Sequence, residues 1–154
     1  MQLLWRIADF GRAMHRQMRY GELSRAPLRL LRLEWRGDVA ECDWMARPAD
    51  EWDAGLPRHV REENESVQAL QDAIGVRELL FSALPRVESA SLRVFRQSVE
   101  GATHLIITGM VTRAQEIPRN VPSVAMRAKL LGFQFWIENG VLEALQAEKC
   151  AVGY

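Results

Sequence analysis

Cysteine, lysine and histidine are all scarce in this chain. Cysteine occurs twice, as Cys42 and Cys150, and neither sits in a C-x-x-C pair or a zinc-ligand spacing. Two cysteines make no disulfide framework, so two reduced thiols are the preferred reading over a Cys42–Cys150 bridge, which fits a cytoplasmic protein. The only lysines are Lys129 and Lys149, and arginine carries the rest of the basic charge. That bias is read as base composition before function.

Long apolar runs are also missing. The longest uncharged stretch, Gly101 to Thr112, is far short of the roughly 20 residues that cross a bilayer. Arg6, Asp9 and Arg12 interrupt what would be the apolar core of a signal peptide. There is no phosphate-binding glycine loop, so no cofactor is expected. There is likewise no G-x-S-x-G or cysteine-protease signature. Formal net charge is zero, so no whole-chain field points to nucleic acid.

What is present reads as one globular domain over residues 1–154, with 48% hydrophobic and 26% charged residues. The zero net charge conceals an asymmetry. Residues 1–36 hold eight arginines against three acids, and residues 37–66 hold nine acids against three arginines. The two regions can neutralise each other within the fold or across a dimer.

Three turn signals set the expected architecture: Trp35-Arg36-Gly37-Asp38-Val39, Val99-Glu100-Gly101-Ala102 and Ile137-Glu138-Asn139-Gly140-Val141. Each lies between stretches that alternate as strands. In the first hairpin a Gly37-Asp38 turn pairs Trp35 with Ala40, Leu33 with Cys42 and Leu31 with Trp44 on one apolar face. The other face pairs Arg32 with Asp43. It also sets Glu34 against Glu41, which requires relief from the diagonal Arg32 and Arg36. In the second hairpin Ala90, Leu92 and Val94 share a face, as do Leu105, Ile107 and Val111. His104 falls opposite Gln97, and Gly109 suggests a bulge or the close approach of another backbone. The third sets Phe133, Phe135 and Ile137 against Leu142 and Ala144. A single helix over 122–147 is its rival.

Helical periodicity places an amphipathic helix over 3–20, with Leu3, Ile7, Phe10, Met14 and Met18 on one face. A short turn is expected around Trp52. A long helix starts at Pro57 and breaks near Gly75, and a further piece ends at Pro85. Another helix runs from Pro122–Ser123 to Gly132. The expected fold is α+β: a single antiparallel sheet of three hairpins, with the N-terminal and intervening helices packed on one face.

Candidate sites are few. His59, Glu62 and Glu63 have helical metal-ligand spacing, but no second ligand set exists, so an exposed acid-rich turn is preferred and no metal is expected. Cys42 reads as a small core residue. Arg12, Arg16 and Arg19 form a basic surface that Trp5, Phe10 and Tyr20 could extend towards a membrane or nucleic acid, although a helix packed on the sheet accounts for it more simply. Trp35, Trp44, Phe95, His104 and Phe135 are candidates for a pocket between sheet and helices. Phe133, Trp136 and Val141 are interface candidates, because the third hairpin is apolar on both faces.

Two functions follow. The leading one is a non-enzymatic binding or assembly domain that forms a homo-oligomer. The alternative is a small-ligand enzyme using His104 or His59 as acid/base. A small-molecule ligand is compatible with both, and nucleic acid is not expected.

Overall fold

A computed structural model describes residues 2–18, 21–48, 54–98, 100–117 and 120–145, with side chains from Ile7 onward. Arg19, Tyr20, the turn around Trp52, Cys150 and the Trp5 side chain lie outside the described residues. Three helices and seven strands follow in the order α1 (Gln2–Gln17), β1 (Arg29–Arg36), β2 (Val39–Met45), α2 (Arg58–Ala83), β3 (Ser89–Gln97), β4 (Thr103–Thr112), α3 (Val124–Leu131), β5 (Phe133–Gln134), β6 (Trp136–Glu138) and β7 (Val141–Glu143). No helix is long and apolar enough to cross a membrane among the described residues.

The class is α+β, but the sheet is not the single antiparallel one expected from three hairpins. Strands β1 to β5 form a mixed sheet in sequence order, with β2 and β3 parallel, while β6 and β7 form a separate two-stranded sheet. A parallel neighbour needs a crossover long enough to return the chain to the same end, and α2 supplies it. The turns specify each hairpin but not how hairpins dock, so this pairing lay beyond local pattern.

Within the first hairpin, Trp35 faces Ala40, Leu33 faces Cys42, Arg32 faces Asp43 and Glu34 faces Glu41. Leu31 does not oppose Trp44. A bulge shifts the register, so Leu30 takes that place and Leu31 turns outward. The Glu34–Glu41 repulsion is relieved by Arg32, which lies 3.0 Å from Glu34, 3.2 Å from Glu41 and 3.2 Å from Asp43. Arg93 on β3 adds a second clamp on Asp43 at 2.6 Å.

In the second hairpin a register shift beside Val94 sets His104 opposite Arg96, not Gln97. The shift leaves Ile106 and Ile107 both buried and displaces Leu105 from their row. Gly109 answers to close approach: a Cβ there would lie 2.6 Å from the Gly132 carbonyl oxygen and 2.9 Å from Phe133 Cα.

Helix α2 runs unbroken through Gly75, because glycine weakens a helix without ending it when packing compensates. Its bare Cα admits Met18 of the preceding segment, whose Cε would be 2.8 Å from a Cβ. Its buried stripe is Ala69, Leu70, Ala73, Val76 and Leu80, while Val60 is exposed. Helix α3 starts at Ser123, whose side chain accepts from Met126 N–H, and ends at Gly132 with φ 110°. The single-helix alternative over 122–147 therefore fails. Asn139 (φ 52°) and Gly140 (φ 81°) form the tight turn of β6–β7, with Ile137 opposite Leu142.

The inner sheet face carries Leu33, Ala40, Cys42, Trp44, Leu92 and Val94 against the helices. The outer face carries Glu34, Glu41, Arg32, Asp43, Arg93 and Met110, and no helix covers it among the described residues.

Candidate functional site

The five pocket candidates do not converge. Trp44 is wholly buried within the core. Phe95 lies beside the Arg93 guanidinium, 5.4 Å from the ring centroid. Phe135 is buried, with Lys129 above its ring at 5.1 Å. His104 is half-buried on β4, opposite Arg96. Of the five, only Trp35 lines a cavity of about 750 Å³ among the described residues.

That cavity also recruits Arg16 from the basic surface. The helix α1 side presents Asp9, Phe10, Ala13 and Arg16. Trp35 and Gly37 come from the β1–β2 hairpin, and Ala83, Leu84, Pro85, Arg86 and Val87 form the α2–β3 corner. Each wall has a reason to hold its place. Phe10 and Met14 are almost fully buried and seat α1 on the core. The Asp38 carbonyl accepts from Glu88 N–H at 2.7 Å and Ser89 N–H at 3.1 Å, which fixes the turn to the start of β3. Arg113 donates to Leu84 O at 2.8 Å and Val87 O at 2.7 Å, which ties the C-cap of α2 to the segment entering β3.

Several arginines of this fold act as carbonyl clamps. Arg77 donates to Thr112 O at 2.7 Å and Gln115 O at 2.6 Å, and Arg96 donates to Leu142 O at 2.7 Å. Arg77 and Arg113 both stand over the Phe81 ring, at 5.2 and 5.0 Å. Arg47 meets Asp72 at 2.8 Å inside the core. Burial pushes the Asp72 carboxyl up, against the opposing pull of Arg47 and the Gln68 amide. Arg12 is paired with Asp9 on the exposed side of α1.

Two smaller cavities, of about 380 and 460 Å³, adjoin at the N-terminal half of α2 and share Glu65, Arg96 and Gln97. His59, Glu62 and Glu63 do not form a ligand set. Glu63 takes His59 at 2.5 Å and Glu62 takes Arg58 at 2.7 Å. Among the described residues no group of three or more His, Cys, Asp or Glu could hold a metal ion. Neither His59 nor His104 lines any of these three cavities.

The interface candidates also separate. Phe133 and Val141 are buried within the chain, because β5 adds to β4 and β7 packs on α2. Trp136 is 55% exposed on β6, and Ile137 beside it is also exposed. Sequence reasoning gave Arg86 no role. Its signal was only its place just after the Pro85 helix stop, which puts a cation at the rim of whatever the helix end borders.

No protein-family model, curated protein or solved structure matches this chain.

Proposed function

We propose that this protein is a non-enzymatic binding or assembly domain that self-associates through the surface formed by α3, β6 and the adjoining end of β4. One observation carries the reading. Met110, Met126, Leu130, Trp136 and Ile137 are five of the nine exposed large apolar residues among those described, and they fall on β4, α3 and β6, elements that adjoin through Gly132 and β5. Gly132 joins the elements that carry them: it ends α3, its Cα lies against the Met110 carbonyl, and β5 and β6 follow it directly. Met126 and Leu130 are one helical turn apart and share a face. Apolar surface removed from water is worth about 25 cal/mol per Å², so a twofold contact that covers such side chains is favoured. The edge strand β1 is a poorer contact, since its bulge and its charges at Arg32, Glu34 and Arg36 disfavour edge-to-edge pairing.

The enzyme alternative lacks a comparable observation. His59 is exposed and held by Glu63, and among the described residues no carboxylate is bonded to His104.

Light scattering on the full chain at tens of micromolar tests the proposal. A dimer that Trp136→Glu or Met126→Glu converts to a folded monomer is the expected result. A monomer at every concentration overturns the self-association, and a dimer indifferent to both substitutions removes this surface as its cause.

A further inference from the structure

We infer that the cavity between α1, the β1–β2 turn and the α2–β3 corner binds a small amphipathic anion: an apolar body bearing a single carboxylate. The inference is independent of self-association, since it uses a different surface.

Size and lining set the apolar half. About 750 Å³ falls in the range that holds one small molecule. Phe10, Trp35, Leu84 and Val87 give walls with little to offer a polar body. Trp35 is only half-buried and faces Ala40 across the hairpin, so part of its side chain remains accessible at the cavity.

Charge sets the other half. Arg16, from α1, and Arg86, from the α2–β3 corner, both line the cavity, and both are exposed. Most described arginines of this fold are spoken for by carbonyls or carboxylates, yet neither of these two has a hydrogen bond or ion pair among the described residues. Asp9, the one acid among the described lining residues, is already bonded to Arg12. Two guanidiniums offer donors and no acceptors, so the complementary head is acceptor-only and anionic, and a carboxylate fits the guanidinium fork in two-pronged fashion.

One effect opposes an anion here. The cavity borders the C-terminus of α2, whose carbonyls carry partial negative charge. Arg113 counters it at the C-cap by donating to Leu84 O, and the same side chain also holds Val87 O just before β3. The walls are also fixed beforehand, through Asp38 O and through Arg113, so binding needs to order only two arginine side chains.

The body can be a fatty-acyl chain or an aromatic ring, and the experiment separates these. Decanoate and 2-naphthoate are titrated in turn into the isotope-labelled full chain, with the Trp35 indole N–H followed by NMR. Decanol and 2-naphthalenemethanol serve as uncharged controls. Saturable binding of at least one acid with a shift of the Trp35 signal is expected, the better acid identifying the body. Arg16→Gln and Arg86→Gln should each weaken it about tenfold, in line with loss of a charge-assisted hydrogen bond. Both arginines are exposed, so unchanged thermal unfolding of the variants will show that the fold is retained. No saturation by either acid at millimolar concentration overturns the inference. So do alcohols that bind as well as the acids, and variants that bind like the parent. Association with phosphatidylglycerol vesicles without binding of either free acid also overturns it, and assigns the arginines to a membrane surface instead.

Discussion

Arg47 and Asp72 form a buried ion pair at 2.8 Å that joins the chain just beyond β2 to the middle of α2. Gln68 donates to Asp72 at 3.0 Å and accepts from Leu23 N–H at 2.6 Å, while Arg47 also donates to Ala26 O and to Met18 O. The end of α1 and the 21–28 loop therefore hang on one polar cluster. Removing one member leaves the other buried without its countercharge. Asp72→Ala is expected to lower stability by roughly 3–5 kcal/mol in urea unfolding, and the paired apolar replacement Arg47→Met with Asp72→Leu by less. A loss for Asp72→Ala below about 1 kcal/mol, the range of a surface pair, would show that this cluster does not anchor α1.

Cys42 is fully buried on the inner face between Leu33 and Trp44. Burial, reinforced by the neighbouring Asp43 charge, pushes its thiol up to about 12 from 9.0. A folded-state value above the unfolded one means that its contribution is fully present below pH 9.0 and is lost as pH climbs towards 12. The stability advantage of the parent over Cys42→Ala should therefore be flat at neutral pH. Above pH 9.0 it should fall by up to about 1.4 kcal/mol per pH unit. Denaturant midpoints of both proteins across this range check it, and a difference that stays constant to about pH 11 contradicts a buried thiol.

The parts of the fold readable in the sequence are those governed by neighbours along the chain. Gly37 and Asn139–Gly140 announced their turns, Ser123 and Gly132 bounded α3, and the Arg32–Asp43 register followed from two agreeing face patterns. The parallel docking of β2 on β3 was not readable, because it is set by α2 crossing the sheet, and no local residue pair encodes it. The bulges at Leu31 and Ile106 escaped for a related reason: each is one residue's slip that a continuous apolar run conceals. The cavity was half visible. Trp35 and Arg16 were singled out for different reasons, but nothing in spacing joined them, and Arg86 comes from a helix end some fifty residues further along. Long-range placement also explains why Phe133 and Val141 looked like surface: their cover comes from β4 and α2, not from their own hairpin.

Gly109 and Gly11 provide the sharpest contrast in what a single methyl group should do. Gly11 lies in the middle of α1 with nothing within 4 Å of a Cβ, so Gly11→Ala should stabilise the protein by roughly 0.5–1 kcal/mol through the loss of unfolded-state freedom. At Gly109 the same methyl would meet backbone: Gly132 O at 2.6 Å and Phe133 Cα at 2.9 Å. Backbone cannot swing aside as the end of a side chain can, so β5 and the α3 terminus must move off β4, at roughly 1–3 kcal/mol. The cost reaches the proposed contact surface, because Met110 adjoins Gly109 and only Phe135 separates Trp136 from β5. Gly109→Ala should thus lower the thermal midpoint and weaken self-association together, whereas Gly11→Ala should raise the midpoint and leave association as it was. Thermal unfolding and light scattering on the two variants read both quantities. Dimerisation at full strength in a destabilised Gly109→Ala protein would separate the β4–β5 junction from the contact surface.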